Sequence, residues 1–366
     1  MKLAQWNYGA VVFGILLVIA GVWYMRDIRN GDACSGTENS ALCYISEAEA
    51  KARDNGIGEA LQYVTKVVVP NTNYKVVHLA MHSIGNEAYA RTEDVGQALA
   101  YLPWYGEVER FLDFNGYQHG VLEMYFLAEG DGTPQTLITE ACAPFVNLAS
   151  FESASREEKI RGPECFHAAG HALMYALKNE VPDALSACDV SPYDWMREWC
   201  YHGVFMENYY LYLPSYESHA PRPYAQGNTG IDMCRTIDAR YRTSCSQFVG
   251  WIYAEVHPGD FVGAFDACAA FGKDDKRICI ARTGRFHIAA RFRENFPAMV
   301  DTCMQADSDA SACLQGTAIG VSEGIAGDEQ RNKVFCDAVP ENERSACVDA
   351  VARSRESLAR IYVTEL

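Results

Sequence analysis

Fourteen cysteines fall into neighbouring pairs along this chain, and the later pairs recur at a fixed interval. The pairs are Cys34 with Cys43, Cys142 with Cys165, Cys188 with Cys200, Cys234 with Cys245, Cys268 with Cys279, Cys303 with Cys313 and Cys336 with Cys347. The last five enclose separations of 10–12 residues. Their second members, Cys200, Cys245, Cys279, Cys313 and Cys347, follow one another at 45, 34, 34 and 34 residues. Even, regular pairing reads as a disulfide framework formed outside a reducing cytoplasm. Free core thiols would leave the interval unexplained.

A unit of about 34 residues is the period of stacked helical hairpins. The length is similar to that of tetratricopeptide-type repeats, but their Trp/Leu-Gly/Tyr consensus is absent, so the likeness is one of architecture only. The expected fold is all-α: a solenoid of about eight hairpins, stapled by disulfides within the repeats. In each unit a short helix ends near the first cysteine and a longer helix carries the second. Local signals agree. Ser191 and Pro192 read as a helix cap and first helical residue, Pro340 opens a similar start, and Gly272 breaks the chain before a long helical pattern. Residues 163–178 read as the long helix of the Cys165 unit. Two stretches, 147–164 and 214–230, read as insertions, and strand signals are nearly absent.

The N-terminus adds a second constraint. Residues 6–25, WNYGAVVFGILLVIAGVWYM, match the length that crosses a bilayer core and carry aromatic residues at both ends. They read as an uncleaved signal anchor, with bulky residues where a cleavage site wants small ones. The organisation expected is a short tail at 1–5, a transmembrane anchor at 6–25 and a disulfide-closed juxtamembrane segment at 26–46. His-rich repeats at 47–212, an inserted loop at 213–230 and Cys-paired repeats at 231–366 follow. The folded part is then extracytoplasmic, periplasmic or extracellular. A net charge of −17 argues against a nucleic-acid partner.

With the units aligned on the second cysteine, the residue two positions on runs His82, His119, His167, His202, then Gln247, Ala281, Gln315 and Asp349. Ala80 and Tyr117 occupy the cysteine place in the first two units. His78 lies four residues before His82 and His171 four after His167, so six of the nine histidines share one helical stripe. Glu123 lies four residues after His119, while Glu87 and Glu207 lie five after His82 and His202. Paired histidines at i and i+4 with a further ligand from a neighbouring helix are a transition-metal arrangement.

His78, His82, His119, His167, His171 and His202 are therefore the candidate metal ligands. Glu87, Glu123 and Glu207 are the candidate bases or additional ligands. Imidazole with carboxylate suits Zn, Fe or Cu, and the cysteines are committed elsewhere. The six histidines form either two separate sites or one shared cavity, and lining one concave surface favours the second. Recurrent glycines near the stripe (Gly85, Gly120, Gly170, Gly203, Gly250 and Gly284) read as points of close helix approach.

Two functions follow from an open metal site: hydrolysis by an activated water, or oxidation at iron or copper. The alternative is an interaction scaffold that binds a protein or peptide on a concave face, with the metal structural or the histidines as polar packing. His219, His257 and His287 fall off the stripe. No GxSxG, P-loop, GxGxxG, CxxCH or HExxH motif is present.

Overall fold

The computed structural model describes residues 34–37, 40–72, 74–101, 115–129, 132–143, 156–210, 224, 231–293, 295–324 and 329–356. The tail at 1–5, the anchor at 6–25 and, apart from Tyr224, the inserted loop at 213–230 lie outside these residues. Among the described residues every regular element is a helix, and no helix is long and apolar enough to cross a membrane. The chain divides into two compact units, Met1–Ile84 and Gly85–Leu366.

In the first unit the helix Ser40–Asn55 packs against the short helix Ile57–Tyr63. Tyr44, Ala48 and Ala52, spaced four residues apart, give the first helix a buried stripe, and Ile57, Ala60 and Leu61 do so for the second. Cys34 and Cys43 are bonded beside them.

The second unit is a succession of hairpins. Its long helices are Gly116–Ala128, Arg156–Ala176, Asp194–Tyr210, Ala239–Val256, Lys273–Thr283, Ala310–Gly324 and Arg344–Glu356, and each packs on the next. Short helices alternate with them, several opening on a side-chain cap. Asp94 Oδ1 accepts from the Gln97 N–H at 2.8 Å, Asp260 Oδ1 from Gly263 at 2.9 Å, and Asn295 Oδ1 from Ala298 at 3.3 Å.

All fourteen cysteines are paired as their spacing implies, in seven bonds. The short helices Val181–Cys188 and Phe261–Cys268 end on their cysteine. Cys188 is bonded to Cys200 and Cys268 to Cys279, each on the long helix that follows, with Cα–Cα distances of 5.7 and 5.6 Å. The same link recurs where Cys234 is bonded to Cys245, Cys303 to Cys313 and Cys336 to Cys347, at Cα–Cα distances of 5.5, 5.3 and 5.7 Å. Cys142 is bonded to Cys165 across the longest separation, 23 residues. Seven such bonds point to an oxidising, extracytoplasmic environment for the folded body.

Two local expectations are corrected. The stretch 147–164 is not a loop throughout, because helix runs from Arg156 to Ala176 with Pro163 inside it. The strong helix formers of REEKIR carry the helix through one proline, which removes one N–H donor. Ser191 is not the cap of the next helix, which starts at Asp194. Instead the Ser191 N–H donates to the Cys188 carbonyl at 3.1 Å, and the Ser191 carbonyl accepts from Arg197 at 2.7 Å, making the hairpin bend.

Glycine sets how closely the long helices meet. A Cβ on Gly170 would lie 2.1 Å from the Cys200 carbonyl oxygen, and one on Gly203 would lie 2.0 Å from that of His167. The helices Arg156–Ala176 and Asp194–Tyr210 therefore touch backbone to backbone at these two residues. Gly316 repeats the device, where a Cβ would lie 1.9 Å from the Ala281 carbonyl. Replacing Gly203 by Ala forces the two helices apart. It is expected to lower unfolding free energy by about 1–3 kcal/mol, measured by denaturant unfolding against the wild type.

Candidate metal centre

A residue two positions after a helical cysteine lies about 200° round the helix from it. The cysteine faces its short helix, so the second position faces away, into the layer between long helices. His167, His202, Gln247, Ala281 and Gln315, which follow Cys165, Cys200, Cys245, Cys279 and Cys313, are all buried there. Only Asp349, two residues after Cys347 in the last helix, is exposed. In the second unit this layer gathers His119, His167, His171 and His202, with Glu123 and Glu207 beside them. All six are at least 94% buried.

His171 stacks on His119 with ring centroids 4.2 Å apart. Its Nε2 lies 3.2 Å from Nε2 of His167, and its Nδ1 lies 2.7 Å from Glu207 Oε2. On the other side of His167, Nδ1 lies 3.1 Å from Nδ1 of His202. Arg282 donates to Nε2 of His202. The Trp199 indole packs edge-on to His167 at 6.1 Å, and Phe248 lies against His202 at 4.7 Å. One ring nitrogen from each of His119, His167 and His171 falls within a 4.8 Å set, and so do ligand atoms of Glu123, His171 and Glu207.

The distances separate these two sets. Two nitrogens that ligate one tetrahedral ion at about 2.0–2.1 Å sit about 3.3–3.4 Å apart. The His167–His171 Nε2 separation matches that bite. The 2.7 Å between His171 and Glu207 is shorter, and fits a charge-assisted hydrogen bond. Glu207 is thus placed to orient His171 through its far nitrogen, as second-sphere carboxylates do for metal-ligating histidines.

Burial and neighbouring cations keep His167 and His202 uncharged. His167 is held well below the usual imidazole range by desolvation, then by His171 and Arg282, against a hydrogen bond to the Trp199 backbone. His202 is held down by desolvation, then by Arg282, His167, His171 and Arg285. Three residues before His167, burial pushes the Glu164 carboxyl up to about 8, opposed by a hydrogen bond from Asn115.

His78 and His82 belong to the first unit, on the helix Tyr74–Thr92. Their rings are 5.0 Å apart, with His78 buried and His82 half-buried. The six-histidine stripe therefore divides between the units, two residues in one and four in the other. Glu87 is half-buried farther along the same helix. His257 is exposed against Tyr253, His287 lies beside Trp251, and His219 is outside the described residues.

Sequence reasoning missed Arg282, Arg285 and Glu164, all more than nine-tenths buried. The first two sit i and i+3 in a segment that spacing marks as buried, immediately after Cys279, and that was the available signal. From Gly284 the helix bearing them widens into a π turn that runs to Ile288, a distortion common at functional sites. The chain matches no protein-family model, no curated protein and no solved structure.

The pKa directions give a signed prediction. His167 and His202, neutral when folded, oppose unfolding less as pH falls below about 6.5, where the unfolded chain takes up protons. Glu164 acts in the opposite sense: it keeps its proton when folded but loses it above about 4.3 when unfolded. Its contribution is therefore lost as pH rises from about 4.3 to about 8, at up to about 1.4 kcal/mol per pH unit. Glu164→Gln removes that slope. Denaturant unfolding at pH 5 and 7.5 is expected to show the variant gaining on the wild type at the higher pH.

Proposed function

We propose that the protein is a membrane-anchored, extracytoplasmic metalloprotein that holds a transition metal between His119, His167 and His171. The observation that carries this reading is the 3.2 Å separation of two Nε2 atoms in a buried cluster, with a third imidazole stacked on one of them. Imidazole donors suit Zn, Fe or Cu, and every cysteine is already in a disulfide. The apolar run at 6–25 is the anchor, and the hairpins build a repeat solenoid behind it.

Three protein nitrogens leave a fourth position open, the pattern of catalytic rather than closed structural sites. Hydrolysis by an activated water is the favoured activity, with oxidation the variant that iron or copper would support. Glu123, one helical turn beyond His119, is the carboxylate assigned as base. Glu207 orients His171 instead of acting as a base.

One observation favours a second reading, in which the cluster is polar packing in an interaction scaffold. His171, His167 and His202 link Glu207 to Arg282 through hydrogen bonds.

Total-metal analysis of the full chain, purified oxidised without chelator or His-tag, tests the proposal. Near-stoichiometric Zn, Fe or Cu is expected in the wild type and its loss in His167→Ala/His171→Ala. A folded wild type that stays metal-free after reconstitution leaves the scaffold reading.

A further inference from the structure

The four contacts that run from Arg282 through His202, His167 and His171 to Glu207, taken as hydrogen bonds, admit only one arrangement of protons. A guanidinium donates and never accepts, so Nε2 of His202, which faces Arg282, carries no hydrogen. His202 is therefore neutral with its proton on Nδ1, and donates it to Nδ1 of His167 at 3.1 Å. The His167 proton must then lie on Nε2, donated to Nε2 of His171 at 3.2 Å. The His171 proton lies on Nδ1, donated to Glu207 at 2.7 Å. Four hydrogen bonds run in one direction from a buried cation to a buried anion, and a chain so polarised strengthens each of its members.

A metal ion needs the opposite at one point. Its ligands His167 and His171 must both present an Nε2 lone pair. His171 already does, because Glu207 holds its proton on the far side. His167 does not, because Arg282 acts through His202 to fix its proton on the ligating nitrogen. To ligate, His167 must carry the proton on Nδ1; the Trp199 backbone, one turn before His202, is an acceptor beside this ring. Two N–H groups cannot face each other at 3.1 Å, so His202 must move its proton to Nε2. That nitrogen then points a hydrogen at the guanidinium. No proton leaves the chain; one shifts on each of two rings, and the Arg282–His202 bond is broken.

We propose that Arg282 is the positioning residue that gates this centre: its hydrogen bond to His202 and metal occupancy of the His119–His167–His171 set are mutually exclusive. This rests on the metal reading above and names what regulates the site. Ligand and side chain are coupled, so whatever withdraws Arg282 raises metal affinity, and the metal in turn drives Arg282 off His202.

The test is zinc affinity of the full chain, by competition with a chromophoric chelator at constant pH. The four proteins are the wild type, Arg282→Met, His202→Phe and the double variant, each checked for helix content by circular dichroism. Removing either partner frees His167, so both single variants are expected to bind zinc about tenfold or more tightly than the wild type. The double variant is expected to gain nothing over His202→Phe. Unchanged affinity in Arg282→Met overturns the gate. So does a full additional gain in the double variant, which would reflect charge repulsion acting without His202.

If none of the four binds zinc, the metal reading fails as well; binding with equal affinity removes the gate alone. Histidine-selective nitrogen NMR on the wild type needs no substitution. It is expected to show His202 protonated on Nδ1 without zinc and on Nε2 with it. The same tautomer in both states overturns the proposal.

Discussion

The disulfide at the neck of six successive hairpins is the constraint on which the rest of the second unit depends. It ties the end of a short helix to the long one that follows, with Cα–Cα distances of 5.3–5.8 Å in the six bonds of this unit. A staple of this kind stabilises by about 2–4 kcal/mol, chiefly by restricting the unfolded chain. Its consequence for function is rotational. Once the cysteine faces the short helix, every other residue of the long helix has its direction fixed. The position two residues on enters the inter-helix layer in repeat after repeat. Polar side chains there find hydrogen-bond partners in one another, and His167 and His202 sit nitrogen to nitrogen.

Close approach does the remainder. Gly170 and Gly203 let two helices meet at their backbones, and this brings imidazoles from different helices within 3.1 Å. Such proximity is expensive for charged rings and tolerable for neutral ones. The opposite charges of Arg282 and Glu207 bracket the three imidazoles and give the neutral chain a direction. The layer thus holds the His167–His171 nitrogen pair on one side and a buried cation, Arg282, on the other.

Much of this was legible in the chain. Cysteine spacing implies the pairing and the helical hairpins, and a two-residue offset identifies His119, His167 and His202 as one layer, with His171 a turn away. Glu207 was legible as a neighbour but not as the partner of the distal nitrogen of His171, because that depends on ring rotation. Arg282 was not legible. It lies 80 residues from His202; spacing marks its segment as buried, but the aligned position beside it is Ala281 and nothing in the register pairs Arg282 with His202. Its long side chain reaches His202 from two hairpins away. Helix boundaries were legible only in part: local helix formers carry Arg156–Ala176 through Pro163, and the bend at Ser191 displaces the next start to Asp194.

In the function proposed here, a metal sits between Nε2 of His167 and Nε2 of His171. The measurement that tests it most directly is anomalous X-ray diffraction from crystals of the zinc-reconstituted chain, recorded on either side of the metal edge. One anomalous peak is expected about 2.0–2.1 Å from both nitrogens, with His119 as third ligand and Arg282 withdrawn from His202. A dry cluster with no peak, its four hydrogen bonds intact from Arg282 to Glu207, would contradict it.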